Sequence, residues 1–321
     1  SPNFGYYYSV RRSLLRKQTA FQDVEIVETE DFGRALILDG ATQIFQRKEF
    51  QYHEPLVHPA LAAHPNPERV LIIGAGDGGV LREVLKHSCV TRVDMVELDG
   101  EVIELCREYF PEVHAGGFGD ARTRLHIADG RAFVEAIGDS NTAAHETKTP
   151  EKYDAILMDM TAPQGPSTML YTREFFAAVA RALSDERGIF AMHAESPEDR
   201  PVAFASILRT KAAVFAVVRP CYHFVHQYAS NWCFAHSSHA TDITAVDAAT
   251  IDARLRERGV TGLQIYSGAV HHAMATGRPY IDRILAESPG PVITDAAPRF
   301  PDEFEHSPAD LLNNADAQPG E

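Results

Sequence analysis

Four carboxylates stand where a nucleoside-binding sheet would meet its ligand: Asp77, Glu97, Asp129 and Asp159. The first interrupts Val70-Leu-Ile-Ile-Gly-Ala-Gly-Asp-Gly-Gly-Val-Leu-Arg-Glu-Val84, which reads as a buried strand, a glycine turn and a helix start. Glycines 74, 76 and 79 also satisfy the dinucleotide fingerprint, in which bare N–H groups and the positive end of a helix hold a pyrophosphate. An acid in that turn would repel phosphate and attract a sulfonium or an ammonium. The loop of Gly74, Gly76, Asp77 and Gly78 therefore fits a positively charged nucleoside, such as S-adenosylmethionine or a relative, better than NAD. Glu97 closes the next strand about twenty residues on, where such sheets place an acid for the ribose hydroxyls. Asp99 is positioned to cap the helix that follows. Asp129 and Gly130 end a third strand, where the carboxylate can accept the adenine amino group or close a turn. Asp159 ends the apolar run from Tyr153 and leads into a proline-rich loop. If an electrophilic carbon lies beside a sulfonium, an attacking amine must be neutral, and Asp159 can take its proton; the competing reading is a loop cap.

These acids need strands to carry them. Residues 21–53 alternate in the strand manner, broken by turns at Asp31-Phe-Gly33 and Asp39-Gly40, and predict a small β-meander. His64-Pro-Asn-Pro67 punctuates the chain. Beyond it, apolar runs at 70–73, 93–97, 125–128, 155–159, 188–193, 213–218 and 232–235 alternate with helical stretches such as 79–87, 99–109 and 172–183. That alternation predicts an α/β fold with a Rossmann-like, doubly wound parallel sheet of the class I methyltransferase-like kind. The expected division is an N-terminal β-strand domain over 1–66, a catalytic domain over 67–287 and an acidic, Pro-rich, poorly ordered tail over 288–321. Residues 138–150 read as a polar surface excursion, and Tyr6-Tyr-Tyr8 and Phe175-Phe176 as packing residues.

Composition narrows the function. The 321 residues are 45% hydrophobic, enough for a full core. A formal charge of −15 argues against nucleic acid and suits a cationic small molecule, although part of it is a solubilising acidic tail. No apolar stretch approaches the roughly 18 residues a membrane helix needs, and the cysteines at 89, 106, 221 and 233 form no C-x-x-C pair, so a cytoplasmic protein without membrane partners is expected. No histidine sits in an H-x-x-x-H or H-E-x-x-H spacing, which predicts no metal.

The ordered set Gln22-Asp-Val-Glu25, Phe32-Gly-Arg-Ala-Leu-Ile-Leu-Asp-Gly40, Glu49-Phe-Gln-Tyr-His-Glu54, His64-Pro-Asn-Pro67, Gly74-Ala-Gly-Asp-Gly-Gly79, Glu97-Leu-Asp99, Asp129-Gly130 and Asp159…Gly165-Pro166 resembles the spermidine synthase family of polyamine aminopropyltransferases over roughly residues 20–285. The resemblance implies decarboxylated S-adenosylmethionine as aminopropyl donor, a di- or polyamine acceptor, release of methylthioadenosine, and a homodimer or homotetramer. It also implies that Gln22, Asp77, Glu97 and Asp129 bind the donor and that Asp159 is the catalytic base. Tyr52 and His53 would line the cleft between domains, and Tyr266 would lie on the acceptor side. One position departs from the family's Asp-Ser-Thr-Asp-Pro: this chain reads Asp159-Met-Thr-Ala162-Pro163, as spermine synthases do in placing alanine there. An acid that would grip the acceptor is missing, which puts putrescine in doubt; Glu195 is the favoured substitute, with His193 and His226 reshaping the acceptor end. Two alternatives stay open. One is an enzyme of this fold using intact S-adenosylmethionine, for methyl or aminocarboxypropyl transfer or for cofactor lysis or cyclisation; the other is a non-catalytic nucleoside-binding assembly protein.

Overall fold

The computed structural model describes residues 6–138 and 152–300. Its first strands are β1 (Val10–Gln18), β2 (Asp23–Thr29), β3 (Arg34–Leu38) and β4 (Ala41–Phe45), an antiparallel sheet in sequence order. Period-two alternation gives this sheet two apolar faces. Val24, Ile26, Leu36 and Ile44 pack on Val102, Cys106, Phe110 and Val113 of the second domain, whereas Val27, Ala35 and Phe45 form a small cluster of their own. Tyr8 packs edge-on against Phe45. Tyr7, expected to pack, is 93% exposed, since among the described residues nothing covers it.

Helix α1 (Phe50–Ala63) follows, with Pro55 and Pro59 inside it and every residue from Tyr52 onward buried. The chain then runs β5 (Arg69–Gly74), α2 (Gly79–Leu85), β6 (Arg92–Glu97), α3 (Gly100–Tyr109), α4 (Pro111–His114), β7 (Thr123–Ile127), α5 (Gly130–Gly138), β8 (Ala155–Asp159), α6 (Arg173–Ala182), β9 (Ile189–His193), α7 (Pro201–Ala212), β10 (Val217–Val225), β11 (Ser230–Ser238), α8 (Ala248–Glu257), α9 (Gly268–Ala275) and α10 (Pro279–Glu287). The seven-stranded sheet has the order β10-β11-β9-β8-β5-β6-β7. Its five strands from β9 to β7 are parallel, and β11 pairs antiparallel with both β9 and β10. The Rossmann-like arrangement expected from the alternation is present, with an antiparallel pair added at one edge.

Successive strand residues feed opposite cores. Val70 and Ile72 join α1, α2, α8 and α9 on one face, and Leu71 and Ile73 join α5, α6, α7 and α10 on the other. Burial on both faces explains the unbroken apolar runs. The expected strand at 213–218 lies instead at Val217–Val225, since Ala213 to Phe215 turn the chain out of α7. Pro220, which masks the strand pattern, is tolerated because β10 is an edge strand.

Helix α1, grouped by the punctuation at 64–67 with the first domain, packs on β8, β9, β10 and β11 of the second sheet. Residues 288–300 of the expected tail are placed. Arg209 donates to the carbonyls of Leu285, Ser288 and Gly290, Ile293 is 1% exposed, and Asp295 pairs with Arg131. The remainder of that tail, and the excursion expected at 138–150 apart from Gly138, which ends α5, lie outside the described residues. Among the described residues no helix is long and apolar enough to cross a membrane.

Candidate active site

In an open parallel sheet the ligand cleft forms where strand order reverses, here between β5 and β8. Register sets Gly74 beside Asp159 across that gap. Gly74 has φ +82°, and a Cβ there would stand 2.2 Å from the Asp159 carbonyl oxygen, so only glycine lets the turn leave β5 at this point. The Ala75 N–H donates to the same carbonyl at 3.1 Å. Loop and acid are thereby locked together.

Gly76 and Gly78 carry the turn past Asp77, whose Oδ1 accepts from the Gly79 N–H at 2.6 Å. The carboxylate itself fills the anion position at the start of α2. Phosphate is therefore excluded by occupancy as well as by charge. Above it lies His53, fully buried, with Nδ1 at 2.6 Å from Glu49 Oε2 and Nε2 at 3.5 Å from Asp77 Oδ1. A Cβ on Gly79 would approach the imidazole to 2.1 Å, so this glycine makes room for a histidine rather than for a ligand.

Burial opposes charge on His53, but Asp77 and Glu49 outweigh it and hold the imidazolium up to about 10. Burial pushes Asp77 upward too, and there His53 and the Gly79 N–H prevail and keep its carboxyl below the usual range. Asp159 is different. Burial, then the charge on Asp77, push it up to about 7, only partly offset by His53 and by hydrogen bonding to Tyr52. One ligand atom from each of His53, Asp77 and Asp159 lies within 4.8 Å of the others, a spacing that suits a small cation. Two neighbouring acids thus have different protonation, which is how one site can both hold a cation and accept a proton.

The next strand end supplies a second acid. Glu97 is pushed up to about 7, chiefly by burial, and its Oε1 accepts from the Asp99 N–H at 2.9 Å. Asp99 caps α3 through the Glu101 N–H as expected. It also accepts from Thr19 Oγ1 at 2.7 Å and Gln22 Nε2 at 3.0 Å. Gln22 is therefore tied to the seam between the domains. Asp129 is exposed and accepts from Ala132 N at 2.7 Å, capping the helix that Gly130 begins. Outside these residues runs an open groove of about 1020 Å³ lined by Phe21, Leu98, Asp99, Leu105, Ile127 and Ala128. Asp77 and Asp159 are not part of it; they lie deeper. The groove's rim is mixed, with Lys17, Glu101, Glu104, Arg107 and Glu108 beside these residues, and the exposed Leu98 directly after Glu97 was the trace of its apolar part in the sequence.

On the other side of Asp159 the walls are aromatic. Tyr52 meets Phe234 at 5.2 Å and Tyr228 at 6.3 Å between ring centroids, both edge-on. Trp232 stacks on Tyr228 at 4.1 Å and on His193 at 5.9 Å. His193 Nε2 lies 2.9 Å from both Tyr171 Oη and the Met160 carbonyl, and Tyr171 donates to the Thr161 carbonyl at 2.9 Å. These bonds fix the loop that carries Ala162. Burial drives His193 down to about 4, so it is neutral. Glu195 is fully buried with φ +61°, a left-handed backbone that costs energy outside glycine and marks a constrained position. Its oxygens lie 3.7 Å from His193 Nδ1 and from Arg200 Nη1.

Tyr266 is not brought to this wall. It is 4% exposed beneath α1, with its ring tilted against His58 at 5.3 Å and bonded to His271 Nδ1 at 2.7 Å, because Glu54 accepts the N–H groups of 264–266 and draws that segment under the helix. His226 packs on Phe32 at the domain seam. Tyr171, Tyr228 and Trp232 escaped the sequence reading, although Trp232 is the only tryptophan in the chain.

The fold is that of a Rossmann-like enzyme whose switch point is lined by acids among the described residues. Residues 49–247 match the family profile described as spermine/spermidine synthase domain, and residues 1–46 match the spermidine synthase tetramerisation domain. The chain belongs to the spermine/spermidine synthase family. It is 37% identical to the polyamine aminopropyltransferase of Nitrosomonas europaea, over 91% of this chain and 86% of that one. With the polyamine aminopropyltransferase of Pyrobaculum calidifontis it shares 40% identity over 80% and 86% of the two chains. The crystal structure of spermidine synthase from Thermotoga maritima is similar with a TM-score of 0.76 and 32% identity, covering 88% of this chain and 90% of that one. A spermidine synthase crystallised with the transition-state analogue AdoDATO gives the same TM-score and identity, covering 88% and 91%.

Proposed function

We propose that the protein is a polyamine aminopropyltransferase that moves the aminopropyl group of decarboxylated S-adenosylmethionine to a di- or polyamine and releases methylthioadenosine. The observation that carries this reading is Asp77 seated where a phosphate would lie, paired to His53 and facing Asp159 across the switch point. In the reaction the acceptor nitrogen's lone pair forms a bond to the carbon beside the sulfonium. The carbon–sulfur bond breaks, its electron pair neutralises the sulfur, and the proton lost by nitrogen goes to Asp159. Asp77 holds the donor's ammonium, Glu97 the ribose hydroxyls, and Asp129 with Gly130 the adenine edge. Gln22 supports the donor through Asp99. The step needs no metal, because the leaving group is already activated by its positive charge.

The acceptor enters along Tyr52, Tyr228, Trp232 and His193, whose rings suit a cationic or alkyl chain. With alanine at 162, Glu195 anchors its distal amine. The amino-terminal sheet is the surface for a homodimer or homotetramer, and a cytoplasmic setting accords with the free cysteines. Incubation with the decarboxylated donor and a panel of di- and triamines should release methylthioadenosine with at least one amine; silence with every amine would overturn the reading. Ala162 lends some support to a same-fold enzyme of intact S-adenosylmethionine. Calorimetry with both donors separates the two, since a buried Asp77 should penalise the extra carboxylate. Tighter binding of intact cofactor would favour the second reading.

A further inference from the structure

His53 does not act alone. Its Nδ1 partner, Glu49, stands at the N-cap of α1, where it caps nothing with its side chain. Both carboxylate oxygens are gripped by Arg82 of α2, at 2.9 Å from Nη1 and 2.8 Å from Nη2. Arg82 is held in turn by Glu83 Oε1 at 2.7 Å from Nε and by the Val113 carbonyl at 2.8 Å from Nη1. A bidentate arginine fixes a carboxylate in plane as well as in position, and a carboxylate on one imidazole nitrogen fixes where the other nitrogen points. The ring has no room to turn, since Gly79 lies against it.

We infer that Glu49, clamped by Arg82, is a positioning residue that fixes His53 with one N–H on itself and the other toward Asp77, and so reserves Asp77 for the donor's ammonium and leaves Asp159 to take the acceptor's proton. This rests on the reading under Proposed function. The charged groups facing His53 are Glu49 before α1, Asp77 in the β5–α2 turn and Asp159 at the end of β8, with Arg82 on α2 acting on Glu49 and Asp77. Removing the Glu49 charge weakens the imidazolium, which loosens Asp77 and withdraws the positive charge that now holds Asp159 down.

The test compares full-length wild type with Glu49→Gln, which keeps shape and removes charge, and Arg82→Met, which leaves Glu49 unclamped. In Glu49→Gln the KM for decarboxylated donor should rise about tenfold. Affinity for methylthioadenosine, which has no ammonium, should stay the same by calorimetry. The limb of kcat/KM that rises with pH as Asp159 loses its proton should move to higher pH. Arg82→Met should show the same split more weakly, and it serves alone if Glu49→Gln does not fold. Equal weakening of both ligands, or an unchanged KM and pH limb, overturns the inference. Absence of transfer by the wild type would instead defeat the functional reading. The two calorimetric affinities then decide, Glu49→Gln narrowing the gap between donor and methylthioadenosine if Glu49 positions His53 and leaving it intact if not.

Discussion

His53 and His193 line the same cleft from opposite sides, both buried to within 2% of exposure, yet one is an imidazolium and the other a neutral ring. Burial disfavours charge on each alike. The partners decide. His53 lies between two carboxylates, one at 2.6 Å, whereas His193 bonds a carbonyl and a phenol, keeps its nearest acid, Glu195, at 3.7 Å and feels the charge of Arg200. The cleft thus sets a tightly ion-paired half beside a mainly aromatic one.

The sharpest way to break this contrast is at the acid between the halves. Asp159→Asn should lower kcat by about 10²–10⁴-fold, the usual worth of a general base, with methylthioadenosine still bound by calorimetry. Normal turnover would show that the base lies elsewhere. Next in size, His53→Met leaves Asp77 buried beside Asp159 without its counter-charge, at a cost of about 3–5 kcal/mol in chemical denaturation. The same variant sharpens the comparison through pH. Because the folded pKa of His53 is raised, to about 10, its stabilisation is full below the unfolded value and is lost as pH rises toward 10, so the gap between wild type and variant should shrink on the alkaline side.

His193→Phe should cost less, about 1–3 kcal/mol, by leaving the Met160 carbonyl and Tyr171 hydroxyl short of a partner. Its pH dependence has the opposite sign. The folded pKa is depressed to about 4, so a neutral His193 stabilises above the unfolded value and that contribution fades as pH falls toward 4. Denaturation midpoints of wild type and variant should converge in acid. Smallest is Lys211→Met. This lysine is fully buried with Nζ 3.7 Å over the Phe190 ring and no carboxylate within hydrogen-bond reach among the described residues, so burial pushes its ammonium well down. Replacement should raise stability by about 1 kcal/mol, and a loss of several would mean that the ring holds it charged.

Glu97 and Asp159 were legible in sequence because each closes a buried apolar run, and Asp77 because it interrupts the glycine turn just after one; strand ends of a doubly wound sheet converge on one edge. Asp99 was legible as a cap for the same local reason. What stayed hidden depends on distant pairing. Nothing near Glu49 announces Arg82, and nothing near His193 announces Tyr171; each partnership exists only once helices dock or strands align. Tyr266 was placed on the acceptor side by resemblance, and the pull of Glu54 on its backbone, which no local pattern encodes, carries it under α1. The run at 232–235 marked β11, but the extent of β10 was hidden by Pro220, which is harmless only on an edge that the sequence does not reveal.

Helix α1 gives adjacent residues to the two halves, Tyr52 to the aromatic wall and His53 to the ionic one. A rigid rod cannot retune one neighbour and spare the other. A substitution that shifts this rod therefore moves both walls at once, whereas one on the facing hairpin reaches only the aromatic side.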